Sequence, residues 1–348
     1  MATAWFVLIA LMFVVYVLLD DFDFGAGILH LVVARTDEER RTVLRAIGPL
    51  WDGNEVWLVA AGGVSVFAFP QAYAAGFSGF YLPLVFSLWL LVVRALSIEF
   101  RSKQDHPLWR AAWDAGFCTS SAAIAVILGV ALGNLVRGVP LDANGYFAGP
   151  LFTNWQPGRD PGVLDWYTVT IGLFALAVLA EHGALYLSWK TAGEVSRRSQ
   201  DIARRLRPVV AMFAAVATAM TLVVQPLILR HLARRPIVWP LGLPIVGGLW
   251  VSAVAERHDR ELAAFLAFGA FIAGLLLTTA ATVYPDILIS TRSPVWSLTV
   301  DNAAAPASTL RIGLWWWSAA IALAVGYFVY LFRSFAGKVV PGAHDHGY

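Results

Sequence analysis

Apolar runs of membrane-crossing length recur along the chain, set apart by short polar or basic stretches. A hydrocarbon core of ~30 Å takes about 20 apolar residues in a helix. On that measure the pattern predicts nine spanning helices, at 5–34, 55–69, 77–100, 114–136, 165–189, 206–229, 236–255, 262–284 and 310–332. The connections alternate in charge. With the N-terminus outside, segments 35–54, 101–113, 190–205, 256–261 and 333–348 face the cytoplasm. Together with the adjoining helix ends these hold 17 Lys or Arg, against 7 on the outer side and Arg94 within a helix. Basic residues concentrate on the cytoplasmic side of membrane proteins, so this asymmetry places the N-terminus outside and the C-terminus inside. Arg230, Arg234 and Arg235 are the exceptions, in a loop assigned to the outer side. Prolines 236, 240 and 244 crowd the start of the seventh helix. A re-entrant seventh segment would reverse the topology beyond it; nine spans is the reading kept.

Composition agrees with an all-α integral membrane protein. Of 348 residues, 59% are hydrophobic and 14% charged, with a mean hydropathy of +0.67. The basic residues lie in short loops rather than on one patch, so the net charge of +2 gives no reason to expect nucleic acid. The lone Cys118 excludes an internal disulfide and a cysteine metal cluster. No Lys or Arg precedes the first apolar run, which outlasts a signal peptide and is expected to stay in place. Most of the 15 tryptophans fall near predicted helix ends, where they anchor at the interface. Residues 1–136 read as a first four-helix bundle and 165–284 as a second. Outer loops lie at 137–164 and 285–309, folded over the outer face, and a ninth helix at 310–332 precedes a cytoplasmic tail at 333–348. The tail carries His344 and His346, which read as solvated and inert. A short echo supports repetition: Asp23-Phe24-Gly25-Ala26 in the first helix resembles Glu181-His182-Gly183-Ala184 in the fifth.

Charge at membrane depth is costly and tends to mark function. Residues 18–29 read LLDDFDFGAGIL, and residues 48–58 read GPLWDGNEVWL. Asp20, Asp23 and His30 share one helical face, whereas Asp21 points elsewhere. Counting a rise of 1.5 Å per residue from Arg35, Asp23 lies about 18 Å above the cytoplasmic boundary, near mid-membrane. Asp52 and Glu55 enter from the same boundary. Stacked in depth, Asp52, Glu55, His30, Asp23 and Asp20 form a candidate proton ladder. The alternative for Asp52 and Glu55 is a capping box at a helix start. Arg94, with Ser97 and Arg101 on its face, needs a partner at depth, and an acid of the first or second helix is the obvious one. Glu181 and His182 are neighbours facing different ways. Only His30 and His182 sit where haem iron could be ligated, while Met12, Met212, Met220 and Cys118 lie in ordinary apolar runs. This set is too poor for a multi-haem centre, and no zinc spacing, phosphate loop or dinucleotide fingerprint occurs.

The two acidic runs, together with FSGFYLPL, FRSK at 100–103, GNLVRGVP at 133–140 and YP…SLT…DNA near 284–303, resemble subunit II of the cytochrome bd-type quinol oxidases, the cyanide-insensitive oxidases included. The resemblance is strongest over residues 15–140 and weaker through 190–280. It implies a multi-pass subunit of the bacterial cytoplasmic (inner) membrane, built as two four-helix bundles plus a peripheral helix. It also implies a heterodimer with a subunit I that holds the b- and d-type haems and the quinol site, so no haem is ligated by this chain. Such a complex oxidises quinol, reduces dioxygen to water and draws its protons from the cytoplasm without pumping. Lipid and quinone are expected contacts, with small accessory subunits a further option. Asp52, with Trp51 and Asn54 beside it, falls in the motif assigned to a cytoplasmic proton path near the subunit interface, and Asp20 and Asp23 belong to the motif as well. Asp21 stands where the commoner D-G-F-D pattern has glycine, and His30, Glu181 and His182 match no motif. The rival readings are a secondary transporter with midplane acids and a self-sufficient haem protein.

Overall fold

The computed structural model of the protein describes residues 1–228, 235–236 and 238–340. These form eleven α-helices. In chain order they are α1 (Ala2–Val33), α2 (Asp37–Ile47), α3 (Trp51–Ala68), α4 (Pro70–Gly79), α5 (Tyr81–Phe100), α6 (Pro107–Arg137), α7 (Trp166–Lys190), α8 (Gly193–Val224), α9 (Val238–Arg257), α10 (Glu261–Val283) and α11 (Ala307–Ser334). A two-residue antiparallel pairing of β1 (Asp286–Leu288) with β2 (Leu298–Thr299) lies between α10 and α11. Eight of the helices are long and apolar enough to cross a membrane. The ninth expected span, 55–69, falls in α3, which is not among the eight because Asp52, Asn54 and Glu55 in its first turns make it less apolar than the others. It nonetheless runs from the end of the molecule that carries α2 to the opposite end, where Ala68 accepts a backbone hydrogen bond from Ala305.

Several expected boundaries move for local reasons. The stretch 35–54, expected as a loop, contains α2, whose N-terminus is closed by a reciprocal cap between Thr36 and Glu39. The expected helix 77–100 is broken at Phe80, so that α4, opened by Pro70, precedes α5. The expected loop 190–205 is the polar first half of α8, laced by Glu194–Arg197 and Glu194–Arg198 pairs at helical spacing. The seventh expected helix, 236–255, is α9, a candidate span of 20 residues with Pro244 inside it. Of the basic exceptions to the charge asymmetry, Arg230 and Arg234 lie outside the described residues, as do His344 and His346. Arg235 donates to the carbonyls of Ala281 and Tyr284, where a cation complements the C-terminal end of α10.

α1 is the central post and packs against α3, α6, α7 and α10, while α8 packs on α7, α5 on α6 and α9 on α10. α11 lies outside the rest and touches α1 only lightly. The two long loops lie at one end and are folded against each other. Val139 and Ile289 share a backbone hydrogen bond of 2.8 Å, and Arg292 pairs with Asp160 at 2.5 Å. Across the α1–α7 contact the two echoing motifs touch. A Cβ on Gly25 would stand 2.6 Å from the Cα of Gly183, and a Cβ on Gly183 would stand 2.7 Å from the backbone nitrogen of Ala26. Neither position has room for a methyl group.

Two expectations follow from the packing. Gly25→Ala must push α1 and α7 apart; overpacking of this kind costs about 1–3 kcal/mol. Thermal melting of the purified protein is therefore expected to drop by several degrees, whereas an unchanged melt contradicts the close crossing. At the α2 end, hydrogen bonds from the Arg198 guanidinium hold the Glu39 carboxyl down at about 2, below its ordinary 4.5. A carboxyl depressed on folding stabilises above its unfolded value, and that contribution fades as pH falls from about 4.5 through about 2. Glu39→Gln removes it at neutral pH, so the gap in melting temperature between wild type and variant is expected to close on acidification. A gap that stays constant with pH contradicts this.

Candidate functional site

The middle of α1 is where the chain spends its buried charge. Asp20, Asp21 and Asp23 are all buried, and each meets a different partner. The Asp20 carboxylate receives Nη2 of Arg94 from α5 at 3.1 Å. The other terminal nitrogen of Arg94 donates to Glu55 on α3. One guanidinium therefore bridges α1, α3 and α5, and its carbon lies 4.2 Å above the Phe24 ring. Asp23 has an amide for its partner: Asn54 Nδ2 donates to it at 2.8 Å and to the Leu19 carbonyl at 2.7 Å. Asn54 thus fastens α3 to α1 beside the arginine bridge. Trp51, one turn earlier on α3, is buried as well. Three carboxyl groups and a single cation share the cluster, and a hydrocarbon surrounding penalises uncompensated charge. An arrangement with more carboxyl groups than cations can take up and release protons.

Asp52 is exposed on the first turn of α3. The expected capping box is not formed. The N-cap of α3 is Leu50, with no side-chain cap bond, because the helix begins four residues before the expected start and leaves Asp52 inside its first turn. Glu55 is half-buried and turned to Arg94 rather than back to the helix start. A separate cluster holds His30. Its Nε2 lies 2.6 Å from Asp114 on α6, and Asp114 also receives Arg101 at 2.5 Å and Arg40 at 2.9 Å. Arg101 reaches on to Asp37 of α2 at 2.8 Å. The structure therefore does not bond His30 into one ladder with Asp23, since Asp114, which sequence reasoning treated only as a helix boundary, takes it instead.

On the far side of α1, Asp21 pairs with His182 Nδ1 at 2.7 Å. The imidazole stacks on Phe265 of α10, with ring centroids 4.4 Å apart and planes 10° apart, and its Nε2 lies 3.3 Å from the Phe265 carbonyl. Glu181, next along α7, receives Arg207 of α8 at 3.0 Å, and Arg207 also reaches Glu256 of α9 at 2.5 Å and Ser252 at 3.2 Å. Sequence reasoning missed Arg207 and Glu256. Little signal was available, since Arg207 and Glu256 sit at the edges of the predicted helices 206–229 and 236–255. Among the described residues no group of His, Cys, Asp and Glu could hold a metal ion. Four of the candidate haem ligands are drawn into other bonds, although Nδ1 of His30 has no partner. His30 is tied to Asp114, both nitrogens of His182 are engaged, the Met12 sulfur accepts from Trp317, and Cys118 donates to the Ile28 carbonyl.

Comparison with known proteins supplies the family. The chain matches the family described as "Cytochrome bd terminal oxidase subunit II" over residues 1–335. It is 30% identical to the "Cytochrome bd ubiquinol oxidase subunit 2" of Bacillus subtilis, with 88% of each chain covered. It is 29% identical to the "Probable cytochrome oxidase subunit 2" of Haemophilus influenzae, covering 96% of this chain and 94% of that one. The Escherichia coli "Cytochrome bd-I ubiquinol oxidase subunit 2" is 28% identical, with 89% and 88% covered. In fold, the chain is similar to the solved bd oxidase from Geobacillus thermodenitrificans, with a TM-score of 0.75, 17% identity and coverage of 96% and 98%. The profile spans the chain and the relatives match along nearly all of it: the chain belongs to the family of cytochrome bd terminal oxidase subunit II.

Proposed function

We propose that this chain is the subunit of a quinol:dioxygen oxidoreductase that supports a haem-bearing partner and conducts cytoplasmic protons towards the oxygen-reduction site. The observation that carries the reading is the cluster around Arg94, in which Asp20, Asp23 and Glu55 lie at membrane depth with one cation among them. Protons are taken from the cytoplasm at Asp52, which stands exposed one helical turn from Glu55. Glu55 passes them to the buried acids of α1, where Arg94 keeps Asp20 and Glu55 close enough to exchange. Asp23, facing an amide instead of a guanidinium, is the acid best placed to hold a proton between turnovers. His30 and Asp114 form a second titratable station nearer the cytoplasmic end. Arg101 and Arg94 set the charge balance of the two stations.

On the same reading the subunit lies in the bacterial cytoplasmic membrane with nine crossings, the N-terminus outside, and two four-helix units joined at the α1–α7 crossing. The haems and the quinol site are assigned to the partner, in keeping with the absence among the described residues of any His, Cys, Asp and Glu group able to hold a metal ion. A secondary transporter, the other reading that midplane acids invite, loses its ground with membership of the oxidase family.

Asp52→Asn tests the path. Oxygen reduction by the intact complex is expected to slow by roughly tenfold at alkaline pH, less than the ~10²–10⁴-fold that a positioned acid–base group supplies, because water relays protons past the lost carboxyl. The defect should shrink as pH falls, with haem content unchanged. Loss of haem and protein in equal measure, or wild-type turnover across the pH range, contradicts the proton role.

A further inference from the structure

Two of the carboxylate–arginine–carboxylate bridges among the described residues answer one another, one in each half of the chain. The first joins α1, α3 and α5 through Asp20, Arg94 and Glu55. The second joins α7, α8 and α9 through Glu181, Arg207 and Glu256. Asp21 follows Asp20, His182 follows Glu181, and Asp21 and His182 are hydrogen-bonded to one another. The result is a belt of polar groups from α5 to α9, passing through the α1–α7 crossing. Function has been assigned above to its α1–α3–α5 end alone.

We propose that the second bridge is a further proton-uptake site, which feeds the acids of α1 through the Asp21–His182 pair. Exposure falls steadily inward along it. Arg204, beside Glu256 at 3.5 Å, is 53% exposed, Arg207 is 16% exposed, Glu256 8% and Glu181 0%. Depth runs the same way. Glu256 is the last residue but one of α9, at the end that carries α2, while Glu181 lies nine residues inside the end of α7, about 13 Å along the helix axis. Glu181 Oε2 and Asp21 Oδ2 are buried without a hydrogen-bond partner. Each is a lone pair able to accept a proton, and buried polar groups without partners call for an explanation.

His182 makes the connection selective for protons. Its two ring nitrogens both face acceptors, the Asp21 carboxylate and the Phe265 carbonyl. A neutral imidazole has a single N–H. With that N–H on the Phe265 carbonyl, Nδ1 is left to accept a proton from the Asp21 carboxyl and to return it, so the pair can relay a proton without reorienting. The sequence of transfers involves no electrons. A proton from cytoplasmic water is taken up at Glu256 and passes to Glu181 Oε2, the hydroxide left behind staying in bulk solvent. The proton moves to Asp21 Oδ2, and from the Asp21–His182 pair one proton goes on to Asp20 or Asp23. Water bridges the intervals longer than a hydrogen bond. Arg207, charged throughout, holds the two glutamates in place and transfers nothing.

This proposal rests on proton conduction by the Asp52 route, and the test separates the two. Quinol-driven oxygen consumption by the whole complex is measured at alkaline pH for wild type, Asp52→Asn, Glu181→Gln and the double variant, with haem content as the control. Two parallel uptake sites, of which Asp52 carries about nine tenths of the flux, predict a loss of only about a tenth for Glu181→Gln alone, and a further loss of about tenfold when the same change is made in the Asp52→Asn background. Glu256→Gln, nearer the surface, is expected to show the same dependence on background, which covers the case in which Glu181→Gln fails to assemble. Equal fractional losses in both backgrounds overturn the second site and leave the first intact. Wild-type turnover in Asp52→Asn instead removes the Asp52 route on which the proposal stands.

Discussion

A carboxylate moved from water into a hydrocarbon interior must find a cation or keep its proton. α1 carries three carboxyl groups within four residues at that depth, and much of the surrounding architecture answers this constraint. Arg94 on α5, Asn54 on α3 and His182 on α7 each serve one of them. Three helices are thereby fixed in rotation about α1 by polar bonds, while apolar packing, which lipid can mimic, supplies area but less orientation. The glycines at the α1–α7 crossing complete the arrangement. Without side chains at Gly25 and Gly183 the two backbones approach closely enough for Asp21 and His182 to meet.

Much of this was legible in the sequence, and the reasons differ from residue to residue. Apolar runs located the helices because lipid forces every buried backbone group into a helical hydrogen bond. The acids of α1 and Arg94 stood out because charge in such a run has a narrow set of explanations. The partner class for Arg94, an acid of the first two helices, followed from charge balance, and the structure supplies one from each in Asp20 and Glu55. The shared GA step of the echoing tetrapeptides pointed to repetition without revealing that the two copies lie against each other. Contact between helices separated by more than a hundred residues is a tertiary fact with no local signature.

Other features were hidden for equally physical reasons. α2 was read as a loop because it is polar, and a polar helix at a membrane surface has the composition of a loop until its cap is seen; Thr36 and Glu39 form that cap. Asp52 and Glu55 carry the spacing of a capping box, but the helix starts at Trp51, and Glu55 is drawn to Arg94 instead. His30 falls on the helical face shared by Asp20 and Asp23, and periodicity alone joined it to them. Asp114, on a helix entered much later, takes it away. Arg207 and Glu256 were passed over because each lies close to a predicted helix end, where charge is ordinary. Their burial against Glu181 is what makes them notable.

The account holds that the buried acids of α1 exchange protons during turnover rather than serve as fixed packing elements. Infrared difference spectroscopy of the intact complex, cycled between reduced and oxygen-reacted states, reads the carbonyl stretch of protonated carboxyl groups directly. A carboxyl band that rises and falls with turnover, and that disappears in Asp23→Asn while haem bands persist, is the predicted result. A spectrum whose carboxyl region is identical in wild type and Asp23→Asn contradicts the account.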